Sequence, residues 1–419
     1  MKNFFALILS VTGIAAVAQT TPSAVELSPA QKSIAEAQSS IHEKPGQYTG
    51  YNLLATALVR RARETDDASY YSQAEEAAKN SLDLSPNNFE TEKIQVSILL
   101  GEHDFATALD QAKILNKKVP DDVLVYGMLA DANAALGKYK DAETAAQWML
   151  DLRPGNRPAL VHAAALRELF GDPDGSYELL DLALQSTPFT ESEERAWVLT
   201  QMGHERLISG NTDAAEKLLT QALVTFPNYS YALDNLAQVR IAQKRYEEAL
   251  LLLKQDYQSY QHTRSLYELA EALQLARHDE DAKKAFAEFE AKSLQESDKK
   301  DNSKLQLVFY YADYAHQPVK ALQVAQQEFS WRQDVYTLDA YAWALHVNGR
   351  DAEARKQIET ALTVGTRDAN LFRHAGEIAR KLGDISAAKS YFQQAANLNA
   401  ANLEPAKLAS AGANTENRK

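Results

Sequence analysis

The amino-acid sequence predicts an all-α fold, a solenoid of about ten helix-turn-helix repeats, and three observations carry that prediction. A ladder of small residues (Ala74, Ala108, Ala142, Ser176, Ala215, Ala249, Ala282, Ala321, Ala354, Ala388) advances in steps of 34, 34, 34, 39, 34, 33, 39, 33 and 34. A second ladder, Pro86, Pro120, Pro154, Pro188 and Pro227, steps by 34, 34, 34 and 39, so both lengthen at the same place. Between the rungs, apolar residues recur at helical spacing twice per period.

The stretch from Val123 to Asn156 shows one period in full. Tyr126, Leu129, Ala130 and Asn133 form one face of a first helix, and Gly137 stops it by supplying the positive φ that a helix C-terminus needs. Tyr139 opens a second helix whose Ala142, Ala145, Ala146, Met149 and Leu150 share a face, and Pro154 ends it. Each helix is about 13 residues, roughly 20 Å, with a single apolar face. Such a hairpin cannot bury itself alone and must stack on copies of itself.

Taken in order, Met1 to Ala18 has the form of a cleavable secretory leader. Lys2 gives a charged start, Phe4 to Ile14 is apolar, and Ala16-Val17-Ala18 is a small-x-small cleavage site. Cleavage after Ala18 would remove one positive charge and move the formal net charge from −13 to −14. The mature chain is then expected to be acidic, without a membrane span, and periplasmic or secreted. Residues 19–47 form a leader and an N-terminal capping helix over Pro29 to Ile41, opened by the capping box Ser28-Pro29-Ala30-Gln31. A first sub-array covers 48–295 and a second covers 305–402. Between them, 296–304 is a charged seam, and 403–419 is a polar tail in which Leu403 to Ser410 can form a capping turn. Three departures from period are localised: an excess in Glu64 to Tyr71, a five-residue insertion between Phe189 and Arg195, and the other long step in the charged seam Glu296 to Lys304.

Composition excludes several function classes. There is no cysteine, hence no disulfide framework, thiol nucleophile or cysteine-bound metal. Net acidity without a basic stripe argues against nucleic acid. The nine histidines are scattered singly, no HExxH, GxGxxG or P-loop frame occurs, and no cofactor or metal is expected. The adjacent acids Glu75-Glu76, Glu193-Glu194 and Glu247-Glu248 point about 100° apart on a helix and read as solvated faces.

A period near 34 with two helices per unit resembles the tetratricopeptide-repeat family from about Tyr48 to Asn402. In the last unit Gly376, Gly383, Ala388, Phe392 and Ala395 stand at the family's glycine, turn, alanine, aromatic and alanine positions, and Ala342, Gly349, Ala354 and Ala361 do so in the unit before. The resemblance implies a right-handed superhelix, with first helices lining a concave groove through the second, fifth, ninth and twelfth places of each unit. Carried onto this sequence, that rule places Trp197, Thr200 and His204, then Tyr231, Asp234 and Gln238, then Arg264, Tyr267 and Glu271 in the groove. Further along it places Tyr310 and Asp313, then Tyr336, Asp339, Trp343 and His346, then Arg373, Glu377 and Arg380. Trp343 beside Tyr336 and Arg373 is expected to be a peptide-docking patch, since aromatic and arginine side chains dominate binding hot spots. Ordinary packing of these rings is the competing reading. Acids stand where the family's carboxylate clamp has lysine and asparagine, which disfavours an acidic C-terminal peptide.

The expected function is a non-enzymatic scaffold holding an extended peptide or partner protein in its groove. The alternative is an accessory subunit of an envelope assembly or polysaccharide export machine, acting through its outer surface. A hydrolase or transferase is disfavoured because the ladder leaves no stretch for a catalytic domain.

Overall fold

A computed structural model describes residues 27–295 and 303–398 of this chain. The expected secretory leader, almost all of the charged seam and the polar tail lie outside the described residues.

Among the described residues, helix α1 (Pro29–Glu43) precedes ten hairpins. These are α2 (Tyr48–Thr65) with α3 (Ser69–Leu84), α4 (Phe89–Gly101) with α5 (Phe105–Lys118), α6 (Val123–Ala135) with α7 (Tyr139–Leu152), and α8 (Arg157–Leu169) with α9 (Pro173–Ser186). Next come α10 (Ser192–Ile208) with α11 (Thr212–Thr225), α12 (Ser230–Ala242) with α13 (Tyr246–Tyr260), and α14 (Thr263–Leu275) with α15 (Asp279–Gln295). The last three are α16 (Ser303–Phe309), prolonged by a π-type turn over Tyr310–Tyr314, with α17 (Pro318–Trp331), then α18 (Val335–Val347) with α19 (Asp351–Leu362), and α20 (Ala369–Lys381) with α21 (Ile385–Leu398). Among the described residues there is no strand, and the fold is an all-α, right-handed superhelical solenoid.

Local chemistry sets the ends of the helices. Ser28 and Gln31 make the reciprocal capping box of α1. Asn88, Asp122 and Asn156, one period apart, each accept backbone N–H groups at the start of a first helix, and Asp334 and Asp368 do the same later. Every rung of the small-residue ladder is buried at 0–3% exposure, because the second helix crosses its neighbour there and leaves no room for a larger side chain. First helices of successive units pack directly on one another (α2 on α4, α4 on α6, α6 on α8, α10 on α12, α16 on α18, α18 on α20), which puts them on the tighter, inner side of the curve. One buried cluster runs from Ala237 on α12 to Ala344 on α18 and so spans both sides of the undescribed segment 296–302.

The first two departures from period find each other in space. The excess near Glu64 lengthens α2 at its C-terminal end, and the insertion after Phe189 lengthens α10 at its N-terminal end. Arg60 Nη2 of α2 then lies 2.6 Å from Glu191, and Arg63 lies 3.8 Å from Glu193. Glu193 is therefore buried, also accepting from the Tyr229 hydroxyl at 3.3 Å, so the solvated-face reading fails for it. It holds for Glu75-Glu76 and Glu247-Glu248, which are exposed.

Successive superhelical turns touch rim to rim. His262 Nε2 donates to the Thr65 carbonyl (2.7 Å) and Thr366 Oγ1 to the Leu169 carbonyl (2.7 Å), each across 197 residues. The Gln333 N–H donates to the Ala135 carbonyl at 2.9 Å in the same sense. Asp66, at φ +55°, accepts from the Tyr231 hydroxyl at 2.9 Å and pairs with Arg264 at 3.5 Å. Hairpin turns of one superhelical turn thus rest on the inter-unit loops of the next, and the inner face becomes a channel.

Candidate functional site: the inner channel

Of the residues expected in the groove, the structure packs one group away. Tyr267 donates to Glu271 (2.9 Å), Tyr310 to Glu290 (3.2 Å), and the Trp343 indole N–H to Asp313 (2.9 Å). Trp343 is only 7% exposed and is stacked with His374 (ring centroids 4.3 Å) and His346 (4.9 Å), with the Arg373 guanidinium 5.4 Å from its centroid. Asp339 is buried against His374 Nδ1 at 2.8 Å, and His346 Nδ1 lies 2.5 Å from Asp351. The expected docking patch around Trp343 is therefore an internal stack, because an indole at this place in a first helix finds the next unit's first helix before it finds solvent. Trp197, His204 and Tyr231 are half-buried, as are Arg373 and Glu377. Tyr336, at 45%, and Arg380 stay exposed. Arg380 pairs with Glu377 on its own helix.

What the structure does bring together lies between α6, α8 and Tyr336 of α18. A cleft of about 230 Å³ has an apolar floor of Ala130, Ala134, Ala165, Leu166 and Leu169, with Asp131, His162 and Glu168 at its sides and Tyr336 across it. The His162 Nδ1–H donates to the Pro158 carbonyl (2.7 Å) while Nε2 faces Asp131 at 3.1 Å. Both partners only accept, so both ring nitrogens carry protons. Burial opposes the charge, but Asp131 and the Pro158 carbonyl outweigh it and hold the ring up at about 9. His204, on the adjoining α10, faces Glu168 at 3.4 Å and the Asn235 side-chain oxygen at 3.2 Å, and against its burial those partners likewise raise it to about 9.

Behind Glu168 lies Glu205, 1% exposed. It accepts from the hydroxyl of Ser176, the one ladder position that is not alanine, and its Oε2 has no donor among the described residues. Burial, then the nearby Glu168, push its carboxyl up to about 8.

Asp131, His162, Glu168 and Glu205 were not singled out from the sequence. Asp131 and Glu168 nevertheless stand at ninth and twelfth places of their units, so the inward-facing rule, applied to the N-terminal half, would have found them. Among the described residues no group of three or more histidine, aspartate or glutamate side chains is arranged to hold a metal ion, and no helix is long and apolar enough to cross a membrane.

Stacked hairpins around an inner channel define a helical-repeat protein of the interaction type. Three tetratricopeptide-repeat models match, over residues 95–157, 206–256 and 374–402. The chain carries tetratricopeptide repeats, and such repeats serve in general as protein-interaction scaffolds. Comparison with curated proteins gives no match. Among solved structures, the human IFIT1 dimer with m7Gppp-AAAA is similar at 14% identity and a TM-score of 0.50, over 88% of this chain and 85% of that one. PilW, described as a widely conserved type IV pilus biogenesis factor, is similar at 16% identity and a TM-score of 0.43, over 49% of this chain and 94% of that one. These likenesses speak to fold alone.

Proposed function

We propose that this protein is a non-enzymatic scaffold that holds an extended segment of a partner protein inside the channel formed by its first helices. The observation that carries this reading is the rim-to-rim closure. It fixes the inner face before any ligand arrives, so binding orders mainly the partner. The secretory-type leader supports placing the scaffold in the periplasm or outside the cell.

The test is site-specific photocrosslinking. A photoreactive residue at position 336, inside the channel, is compared with one at Val224, which is 77% exposed on α11. The channel reading expects partner adducts from position 336 and none from 224. Adducts from 224 alone would overturn it.

A second reading, an accessory subunit of an envelope assembly working through its outer surface, has one observation in its favour. Ile114, Trp148 and Leu182 occupy the same place in three consecutive second helices, each about half exposed. A crosslinker at position 148 tests that face in the same experiment.

A further inference from the structure

We propose that the cleft between α6, α8 and Tyr336 is a pocket for the cationic side chain, lysine or arginine, of the segment threaded through the channel. This rests on the channel reading and adds the chemistry of the occupant.

The shape and lining favour a long side chain with an apolar stem and a charged end. An apolar cavity of about 150 Å³ accommodates benzene, so about 230 Å³ over alanine and leucine takes one such stem. At its sides stand Asp131, whose side chain is 54% exposed, and Glu168. Elsewhere on the inner face Asp234 and Glu377 are taken by this chain's own guanidinium groups, Arg264 and Arg380, and Asp339 is closed off in the interior against His374. The ion pairs of Asp131 and Glu168 are with imidazoles, His162 and His204. An imidazole can give up its proton when a permanent cation arrives, whereas a guanidinium cannot.

The buried acid behind the cleft points the same way. Glu205 is held in the interior with Oε2 lacking a donor. A cation beside Glu168 offsets the crowding of these two carboxyl groups. Tyr336, on the opposite wall, presents an exposed ring on which a guanidinium or ammonium can rest. An anion would instead face Asp131 and Glu168, and a neutral side chain would leave both in their imidazole pairs with nothing gained.

The probe is the pentapeptide acetyl-Gly-Gly-Arg-Gly-Gly-amide, with its lysine and glutamine counterparts, titrated into the full chain carrying labelled alanine methyl groups. The expected result is saturable shifts of the Ala130, Ala134 and Ala165 methyls with the arginine and lysine peptides. Affinity should be at least tenfold weaker for the glutamine peptide, and at least tenfold weaker for Asp131→Asn/Glu168→Gln. An outer-face control, Glu143→Gln/Asp151→Asn, should bind like the native chain at equal melting temperature. Equal binding of the glutamine peptide, or unchanged affinity in the cleft variant, overturns the inference. Crosslinking from position 336 in that cleft variant separates the two readings. If partner adducts persist unchanged, the channel stands and the cation pocket falls. If none form even in the native chain, the channel reading itself falls.

Discussion

Gly137 lies so close to Gln333 that a Cβ on the glycine would sit 2.6 Å from the Gln333 carbonyl oxygen. Nearly two hundred residues separate them, and the contact exists only because one superhelical turn rests on the next. Gly349 occupies the same hairpin position 212 residues later, at φ +74° against +69°, with nothing near its missing Cβ. The two glycines therefore separate backbone conformation from turn-on-turn contact.

Gly349→Ala should cost about 1 kcal/mol, the penalty for a side chain in the left-handed region. His103, Lys244, Arg277 and His316 accept that conformation elsewhere in the chain. Gly137→Ala should cost at least about 1 kcal/mol more and should raise the radius of gyration in solution scattering, since the rims must part. Equal stability loss and equal dimensions for the two variants would mean that the turns do not touch.

Ser176→Ala restores the ladder's usual residue, so ladder statistics alone would make it harmless. The hydroxyl donates to Glu205, however, and its removal leaves a buried carboxyl without its donor. The expected loss is about 1–3 kcal/mol. In the Glu205→Leu background the same change should be close to neutral, and a double-mutant cycle in urea measures the difference.

The period, the ladder and the hairpin boundaries were legible in the sequence because each is a local pattern repeated ten times. The departures from period near Glu64 and Phe189 were legible too, but not what they do. Nothing in the runs around Glu64 and Phe189 says that Arg60 will meet Glu191, since that depends on curvature accumulated over four units. The same limit explains Trp343. Its place in the unit pointed it inward, correctly, yet whether an inward side chain meets solvent or the neighbouring first helix depends on how tightly the helices pack. Asp131 and Glu168 were readable by position. Their imidazole partners come from other units, and the sequence does not announce the pairing.

Ala354 is fully buried where α19 crosses its neighbour, within a cluster containing Leu338, Ala342 and Leu371. Ala354→Arg should lose about 1–3 kcal/mol to overpacking and more to an unpaired buried charge. Because repeat arrays couple mainly to nearest neighbours, the damage should concentrate in the last two hairpins. Hydrogen exchange should show α18 to α21 losing protection while α4 to α7 keep theirs. Lys356→Arg, exposed on the same helix, is the neutral control. A melting curve like the native one for Ala354→Arg would place the register elsewhere.

Stability should fall as pH rises from about 6.5 to 9, and the sign follows from the cleft. His162 and His204 titrate near 9 in the folded chain, against about 6.5 unfolded, so the native state holds extra protons throughout that window. Their contribution is complete below pH 6.5 and lost as pH passes 9. Glu205 acts in the same direction, because its carboxyl, raised to about 8 from 4.5, must ionise in the interior as pH climbs. With both rings retaining some solvent contact, screening reduces the combined effect to the order of 1–3 kcal/mol. Urea unfolding between pH 6 and 9.5 measures the slope, and His162→Gln/His204→Gln should flatten most of it, because glutamine keeps hydrogen-bonding capacity without titrating. A slope that survives unchanged in the double variant, rather than falling to the share carried by Glu205, would show that the imidazoles are neutral in the native cleft.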